Sequence, residues 1–186
     1  YTGALFSAYL EKYKEELCIP EIYYRKAGEE ENQTAFRYLD VLDDLFTGSF
    51  AKLYEQRCHR LGLKFTGHIL HEDSLDFQTG VSGSMMRFYE YMDYPGMDNL
   101  SAHNGCYWVA VQCASVARQL DKPFVLSELY GCTGWDMPLN EYKRIGDWQA
   151  LFGVNLRCPH LSWYSMKGEA KRDYPASILH QNAWYR

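Results

Sequence analysis

Apolar residues recur every three or four positions in several long segments of the chain, which is the spacing of a helix with one buried face. This pattern predicts helices over residues 5–17, 34–61, 106–120 and 139–152. Gly62 directly follows the second segment and is a typical C-terminal stop, since glycine adopts the left-handed conformation without steric cost. Residues 85–91 are predicted to form a further helical turn.

Short apolar runs alternate with these helices and predict strands. The runs cover residues 63–70, 123–126 and 153–158, and a brief strand is expected within residues 92–101, ending at Asp98 and Asn99. Residues 74–84 are polar, contain glycine and are interpreted as a loop. Strands that alternate with helices give a parallel sheet with right-handed crossovers.

A parallel sheet of this kind is either doubly wound or closed into a barrel. No GxGxxG or other phosphate-binding loop follows a predicted strand, which favours the barrel. A complete eightfold barrel needs about 250 residues. We therefore predict an α/β fold, a partial (β/α)8 TIM barrel of about four βα units, in which residues 1–186 form a single domain equivalent to the C-terminal half. Two open sheet edges would follow, so self-association is expected.

Composition narrows the classes of function. The 186 residues are 47% hydrophobic and 23% charged, as in globular proteins, and the net charge of −5 argues against a nucleic-acid partner. No apolar run approaches the roughly 20 residues of a membrane span. Six cysteines without a CxxC pair indicate free thiols in a reducing compartment. The first residue, Tyr1, suggests a segment of a longer parent, whose export stays open.

Carboxylates follow several predicted strands, where barrel enzymes carry catalytic groups. Glu128 comes after the clearest strand, and Gly131 and Gly134 in the next loop allow close backbone approach to a ligand. Glu72 and Asp98 follow two other strands. Glycoside hydrolysis requires two carboxyl groups that flank the scissile bond. Alternatively, Glu128 caps the next helix or pairs with an arginine, and Glu72 joins a polar loop network.

Histidines and aromatic residues offer further chemistry near the same strand ends. His68, His71, Glu72 and His160 could bind a divalent metal, but the sequence H-x-x-H-E differs from the zincin pattern H-E-x-x-H, so no metal ligand set is assigned. Structural or substrate-contacting histidines are the alternative. Aromatic rings on loops after strands could stack on a pyranose or simply pack within the loops; they include Tyr130, Trp135 and Trp163.

Several segments together resemble one enzyme family. They are GLKFTGHILHEDS, FYEYMDYPGMDNLS, KPFVLSELYGCTGW and the block that begins at residue 141 and ends in KRDYPAS. The chain, from about residue 6 to residue 184, resembles the C-terminal half of the catalytic barrel of bacterial glycoside hydrolases related to family 106, the α-L-rhamnosidase group. The S-E-x-x-G segment and the K-R-D-Y-P block are the most specific parts.

The resemblance implies that the parent protein hydrolyses O-glycosidic bonds, with Glu128 as the general base of an inverting reaction. It also implies a calcium ion near the sugar hydroxyls. The partner acid is expected upstream of this sequence, and the segment alone is therefore expected to be inactive. The candidate catalytic residues are Glu128 and Glu72. The substrate is expected to contact His68, His71, Asp98, Asn99, Tyr130, Trp135, Asn155, His160 and Trp163.

Two other classes of function stay open. The first is a non-catalytic carbohydrate-binding or degenerate barrel module that uses the aromatic loops alone. The second is a metal-dependent barrel hydrolase that uses the histidines and carboxylates near the strand ends.

Overall fold

The computed structural model describes residues 2–99 and 106–160, together with positions 165, 167, 168 and 178. These residues form helices and a small sheet. The helices are α1 Gly3–Tyr13, α2 Ile19–Tyr23, α3 Gln33–Phe46, α4 Lys52–Arg60, α5 Leu75–Val81, α6 Met85–Tyr89, α7 Tyr107–Gln119 and α8 Leu139–Leu151. The strands are β1 Gly96–Asn99, β2 Leu126–Leu129 and β3 Leu156–Pro159.

The sheet has three parallel strands in the order β1, β2, β3. Helix α7 connects β1 to β2 and α8 connects β2 to β3, so two βαβ crossovers follow one another. The predicted α/β arrangement with parallel strands is therefore confirmed. Within the described ranges the chain shows neither four βα units nor a closed barrel.

The first predicted strand, residues 63–70, is reduced to a single parallel bridge between Thr66 and Tyr94. Beyond Thr66 the chain leaves β1, and the N–H of Ile69 donates to the carboxyl group of Glu72 instead of to a strand. The prediction of a full strand is wrong here, because a side chain satisfies the backbone group that a neighbouring strand would otherwise satisfy.

Strand β2 begins at Leu126 rather than at Pro123. Pro123 has no N–H to donate, and the N–H of Val125 donates to the side-chain oxygen of Asn155. Neither residue therefore donates an N–H to the regular ladder. The strand also extends beyond residue 126, so Glu128 lies within β2, one residue before its end, instead of following the strand.

The long helix predicted over residues 34–61 is divided by a π-helical segment, Thr47–Ala51. Gly48 and Ser49 lie inside this segment, and both residue types have low intrinsic helix propensity. One extra residue in a turn rotates the following helix by about 100°. The apolar residues after the π-helical segment leave the buried stripe: Leu53 of α4 and Leu61, which directly follows the helix, are exposed. Gly62 ends the helix with a positive φ of 70°, as predicted.

Helix α5 lies within residues 74–84, for which the sequence predicts a loop, and this prediction is wrong. The hydroxyl oxygen of Ser74 accepts a hydrogen bond from the N–H of Phe77, which is an N-cap. Leu75, Phe77 and Val81 are all exposed, so the helix has no buried apolar stripe. The pattern of apolar residues could not reveal a helix of this kind.

The two faces of the sheet differ in their burial. Ser127 and Leu129 are fully buried on the face that packs against the helices, where Met97 of β1 is also fully buried. Leu126 and Glu128 point to the other side and are partly exposed. We name this second side the open face, and it is the side on which a ligand can reach the strands.

Candidate functional site

Three residues form a row across the open face. Asp98, Glu128 and Cys158 are register partners on β1, β2 and β3, and register partners in a parallel sheet project to the same side. Asp98 and Glu128 each lie one residue before the carboxyl end of their strand. Parallel α/β proteins bind ligands and carry catalytic groups at this end of the sheet.

His68 joins the two carboxylates of this row. Its Nε2 atom lies 3.6 Å from Oδ2 of Asp98 and 3.8 Å from Oε2 of Glu128. One ligand atom from each of the three residues lies within 4.8 Å of the other two. We name this group the His–Asp–Glu cluster. Its side chains are 35%, 20% and 31% exposed, so water and a ligand have access to it.

Glu72 lies at the outer edge of β1, beside the cluster, and is only 5% exposed. Its Oε1 accepts the N–H of Ile69 at 3.1 Å, and its Oε2 accepts the N–H of Asp98 at 2.9 Å. Burial raises the pKa of Glu72 to about 8, although the two N–H groups oppose this and the charges of Asp98 and Asp73 add to it. The carboxyl group is thus buried and is occupied by two backbone donors.

Tyr89 lies beside Glu72 in the core and was not predicted as a site residue. Its ring is fully buried, and burial together with the nearby Glu72 charge raises the pKa of its hydroxyl well above the usual value. The sequence signal for Tyr89 was weak, because tyrosine in an apolar helical turn is common in any core.

Asp93 fixes the beginning of the segment that carries His68. Its Oδ2 accepts the N–H of Phe65 at 2.8 Å and contacts Nε2 of His59 at 2.9 Å, while Lys64 reaches Oδ1 at 3.0 Å. Burial alone would raise the pKa of Asp93, but these three partners hold it at about 2. The carboxylate and the bridge from Thr66 therefore attach this segment to the start of β1.

Some predicted contact residues lie outside the cluster. His71 is exposed with a positive φ of 62°, and its ring stacks on Phe77 with centroids 5.8 Å apart. Tyr130 is buried and packs edge-on against Tyr142 of α8, on the helical side of the sheet. Trp135 is 55% exposed on the loop between β2 and α8.

Asn155 lies at the other end of the strands. Its side chain accepts the N–H of Val125 and donates to the carbonyl of Pro123, which are both before β2. His160 follows β3, is buried, and donates its backbone N–H to the carbonyl of Leu129. Asn99 ends β1 as the register partner of Leu129, and Trp163 lies outside the described residues.

Cys158 completes the row but was not among the predicted site residues. The signal that could have found it is positional: it is the β3 residue that pairs with Glu128. Its thiol is exposed and free.

A calcium ion, which the resemblance implies, fits the cluster poorly. Calcium takes about six to eight oxygen ligands. The described cluster supplies two carboxylates and one imidazole, and imidazole nitrogen suits zinc and other transition metals better. The donor set therefore does not match calcium.

Comparison with known proteins gives no match to a protein family, to a curated protein or to a solved structure.

None of the helices in the described part of the chain combines the length and the apolar character that crossing a membrane requires.

Proposed function

We propose that this chain is part of an enzyme that hydrolyses O-glycosidic bonds, with Glu128 as the carboxylate that activates the attacking water. The observation that carries the proposal is the in-register pair Asp98 and Glu128 on the open face, joined by His68. Polar groups converging at the carboxyl end of a parallel sheet are typical of barrel enzymes. The proposal includes the finer architecture, in which the sheet is the C-terminal half of a (β/α)8 barrel.

The spacing of the two carboxylates limits the roles that they can take in this proposal. In an inverting glycosidase the two flanking carboxyl groups are about 6.5 to 9.5 Å apart, because a water must fit between them and the sugar. Asp98 and Glu128 lie closer, within 4.8 Å, and on one side. This separation is nearer to the roughly 5 Å of retaining glycosidases, so Asp98 does not fit the role of the opposing acid in an inverting reaction. In the proposed inverting reaction Asp98 and His68 therefore serve to orient Glu128 and its water, and the acid that protonates the leaving group is expected on another strand of the proposed barrel.

Glu128→Gln in the full-length protein tests this role. The variant keeps the shape of the side chain but cannot accept a proton from water, so kcat on 4-nitrophenyl glycosides, beginning with the α-L-rhamnoside, should fall about a hundredfold or more. Glu21→Gln is the matched control, since Glu21 is similarly exposed, at 33%, and lies on α2, which packs on α3. Wild-type rates for Glu128→Gln would refute the proposal.

A metal-dependent hydrolase is the second candidate, and the two separations from His68 favour it. Two ligand atoms that are each about 2.1 Å from one zinc ion in a tetrahedral site are about 3.4 Å apart. The separations of 3.6 and 3.8 Å from His68 are close to this value. The cluster could hold a transition-metal ion that activates a water.

Titration calorimetry with zinc and with manganese decides between the two candidates. The metal-dependent enzyme requires binding that weakens about tenfold or more in His68→Ala, with Glu21→Gln unchanged, and hydrolysis that a chelator abolishes. The metal-independent glycosidase requires activity that survives the chelator. A non-catalytic carbohydrate-binding module would lose oligosaccharide binding in Trp135→Ala and show no hydrolysis at all.

A further inference from the structure

We propose that Glu72 is the positioning residue of the His–Asp–Glu cluster. Its carboxyl group joins the segment that carries His68 to the strand that carries Asp98, and thereby sets the distance between the imidazole and the carboxylate. The relevance of this role to catalysis rests on the proposed function, whereas the positioning itself is independent of it.

The first step concerns β1. Within a parallel strand, backbone groups alternate between the two neighbouring strands, and Pro95 directs its carbonyl towards β2, where it accepts the N–H of Leu126. The N–H of Asp98 points the other way, towards the outer edge of β1, where the Thr66–Tyr94 bridge is the only strand pairing among the described residues. The Glu72 carboxyl group accepts this N–H at 2.9 Å and so stands in for a strand.

The second step concerns His68. The N–H of Ile69 belongs to the peptide unit that links Ile69 to His68, and a peptide unit is planar and rigid. Because the other oxygen of Glu72 accepts this N–H at 3.1 Å, it fixes the orientation of that unit and the position of the His68 backbone. One carboxyl group therefore holds the backbones of two members of the cluster.

The third step concerns Glu72 itself, which must be fixed in order to position others. The side-chain amide of Gln78 donates to the backbone carbonyl of Glu72 at 3.0 Å. The same amide is paired with Gln112 on α7 through two hydrogen bonds, of 3.0 and 3.2 Å. Glu72 is thus anchored to the helix that packs behind β1, and its burial restricts its rotamers.

Glu72→Gln tests the inference. Glutamine keeps the size of the side chain but replaces one acceptor oxygen with an amide nitrogen that cannot accept, so either Ile69 or Asp98 loses its partner. We expect the side-chain NMR signals of His68 and Asp98 to shift. In the full-length enzyme we expect kcat to fall about tenfold or more while KM changes by less than about threefold.

Asn155→Ala is the control, because Asn155 also ties two backbone groups together, at the opposite end of the strands. It should lose stability without moving the signals of His68 or Asp98. Glu72→Gln could also lose stability while the side-chain NMR signals of His68 and of Asp98 stay unchanged. Glu72 would then be only structural, and the inference would be overturned. The NMR result decides this even if Glu128→Gln retains full activity and the proposed function fails.

Hydrogen exchange of the wild-type protein keeps the inference testable if Glu72→Gln does not fold. One carboxyl group holds both amides, so Ile69 and Asp98 should be protected together and become exchangeable together on local opening. Free exchange at Ile69 beside strong protection at Asp98 would show that the link does not exist, and would overturn the inference.

Discussion

Asp93→Asn is the substitution whose effect on stability can be worked out most directly. The side chain is 14% exposed and holds the N–H of Phe65, with His59 and Lys64 as further partners. Its pKa is lowered from 3.8 to about 2, and at about 1.4 kcal/mol for each pKa unit this corresponds to about 2 kcal/mol of folding free energy. We expect the variant to lose about this amount at neutral pH.

The sign of the pH dependence follows from the direction of the shift. A carboxyl group with a lowered pKa in the folded state stabilises the protein above its unfolded pKa, and this contribution is lost as the pH falls through the folded pKa. The difference between wild type and Asp93→Asn should therefore be constant above about pH 5 and shrink between about pH 4 and pH 2.

Urea unfolding followed by tryptophan fluorescence, at a series of pH values from 7 downwards, measures this difference. Asp121→Asn is the matched control, because Asp121 is exposed and its positive φ of 51° is one that asparagine also tolerates. The control should change stability by less than about 0.5 kcal/mol at every pH. A difference for Asp93→Asn that does not depend on pH, or that equals the control, would refute the electrostatic reasoning.

Three further substitutions test the fold. Gly96→Ala should destabilise the protein by about 2 kcal/mol or more, because the new Cβ would lie 2.1 Å from the carbonyl oxygen of Gly67; an unchanged thermal midpoint would contradict this close packing. Asn155→Ala should lower the free energy of unfolding by about 1 to 2 kcal/mol, since the N–H of Val125 loses its side-chain acceptor. Equal urea midpoints for the variant and the wild type would show that water replaces this hydrogen bond. Gly48→Ala should stabilise by about 0.5 to 1 kcal/mol, because a Cβ there meets open space inside a helical segment, and a lower thermal midpoint would mean that the π-helical turn requires glycine.

The sequence predicts those elements whose residues have one buried face. Helix α7 was expected over residues 106–120 and α8 over residues 139–152, and both agree with the structure to within a residue at each end. Periodicity could not show α5, which buries little apolar surface, or the division of the helix predicted over residues 34–61. It also could not place the start of β2, because the side chain of Asn155 competes for the backbone group at that position.

The residues of the candidate site also differ in whether the sequence alone can predict their positions. Asp98 and Glu128 could be chosen from sequence because parallel strands bring equivalent positions together. His68 lies near them because of the path that the chain takes after Thr66. No pattern of residue types in the sequence predicts this path. The sequence could identify Glu72 as a carboxylate near a strand end, but its burial beside β1 depends on tertiary packing.

Glu72 also affects the way in which the sheet could associate with other chains. An exposed strand edge invites pairing, and the half barrel was expected to have two such edges. The carboxyl group of Glu72 and the Thr66–Tyr94 bridge cover the outer edge of β1, whereas no strand in the described part of the chain covers the outer edge of β3. Fibres that grow by strand addition need two free edges on each molecule. With the outer edge of β1 occupied, the described sheet could pair with a second copy through β3 but would have no further strand edge for a third.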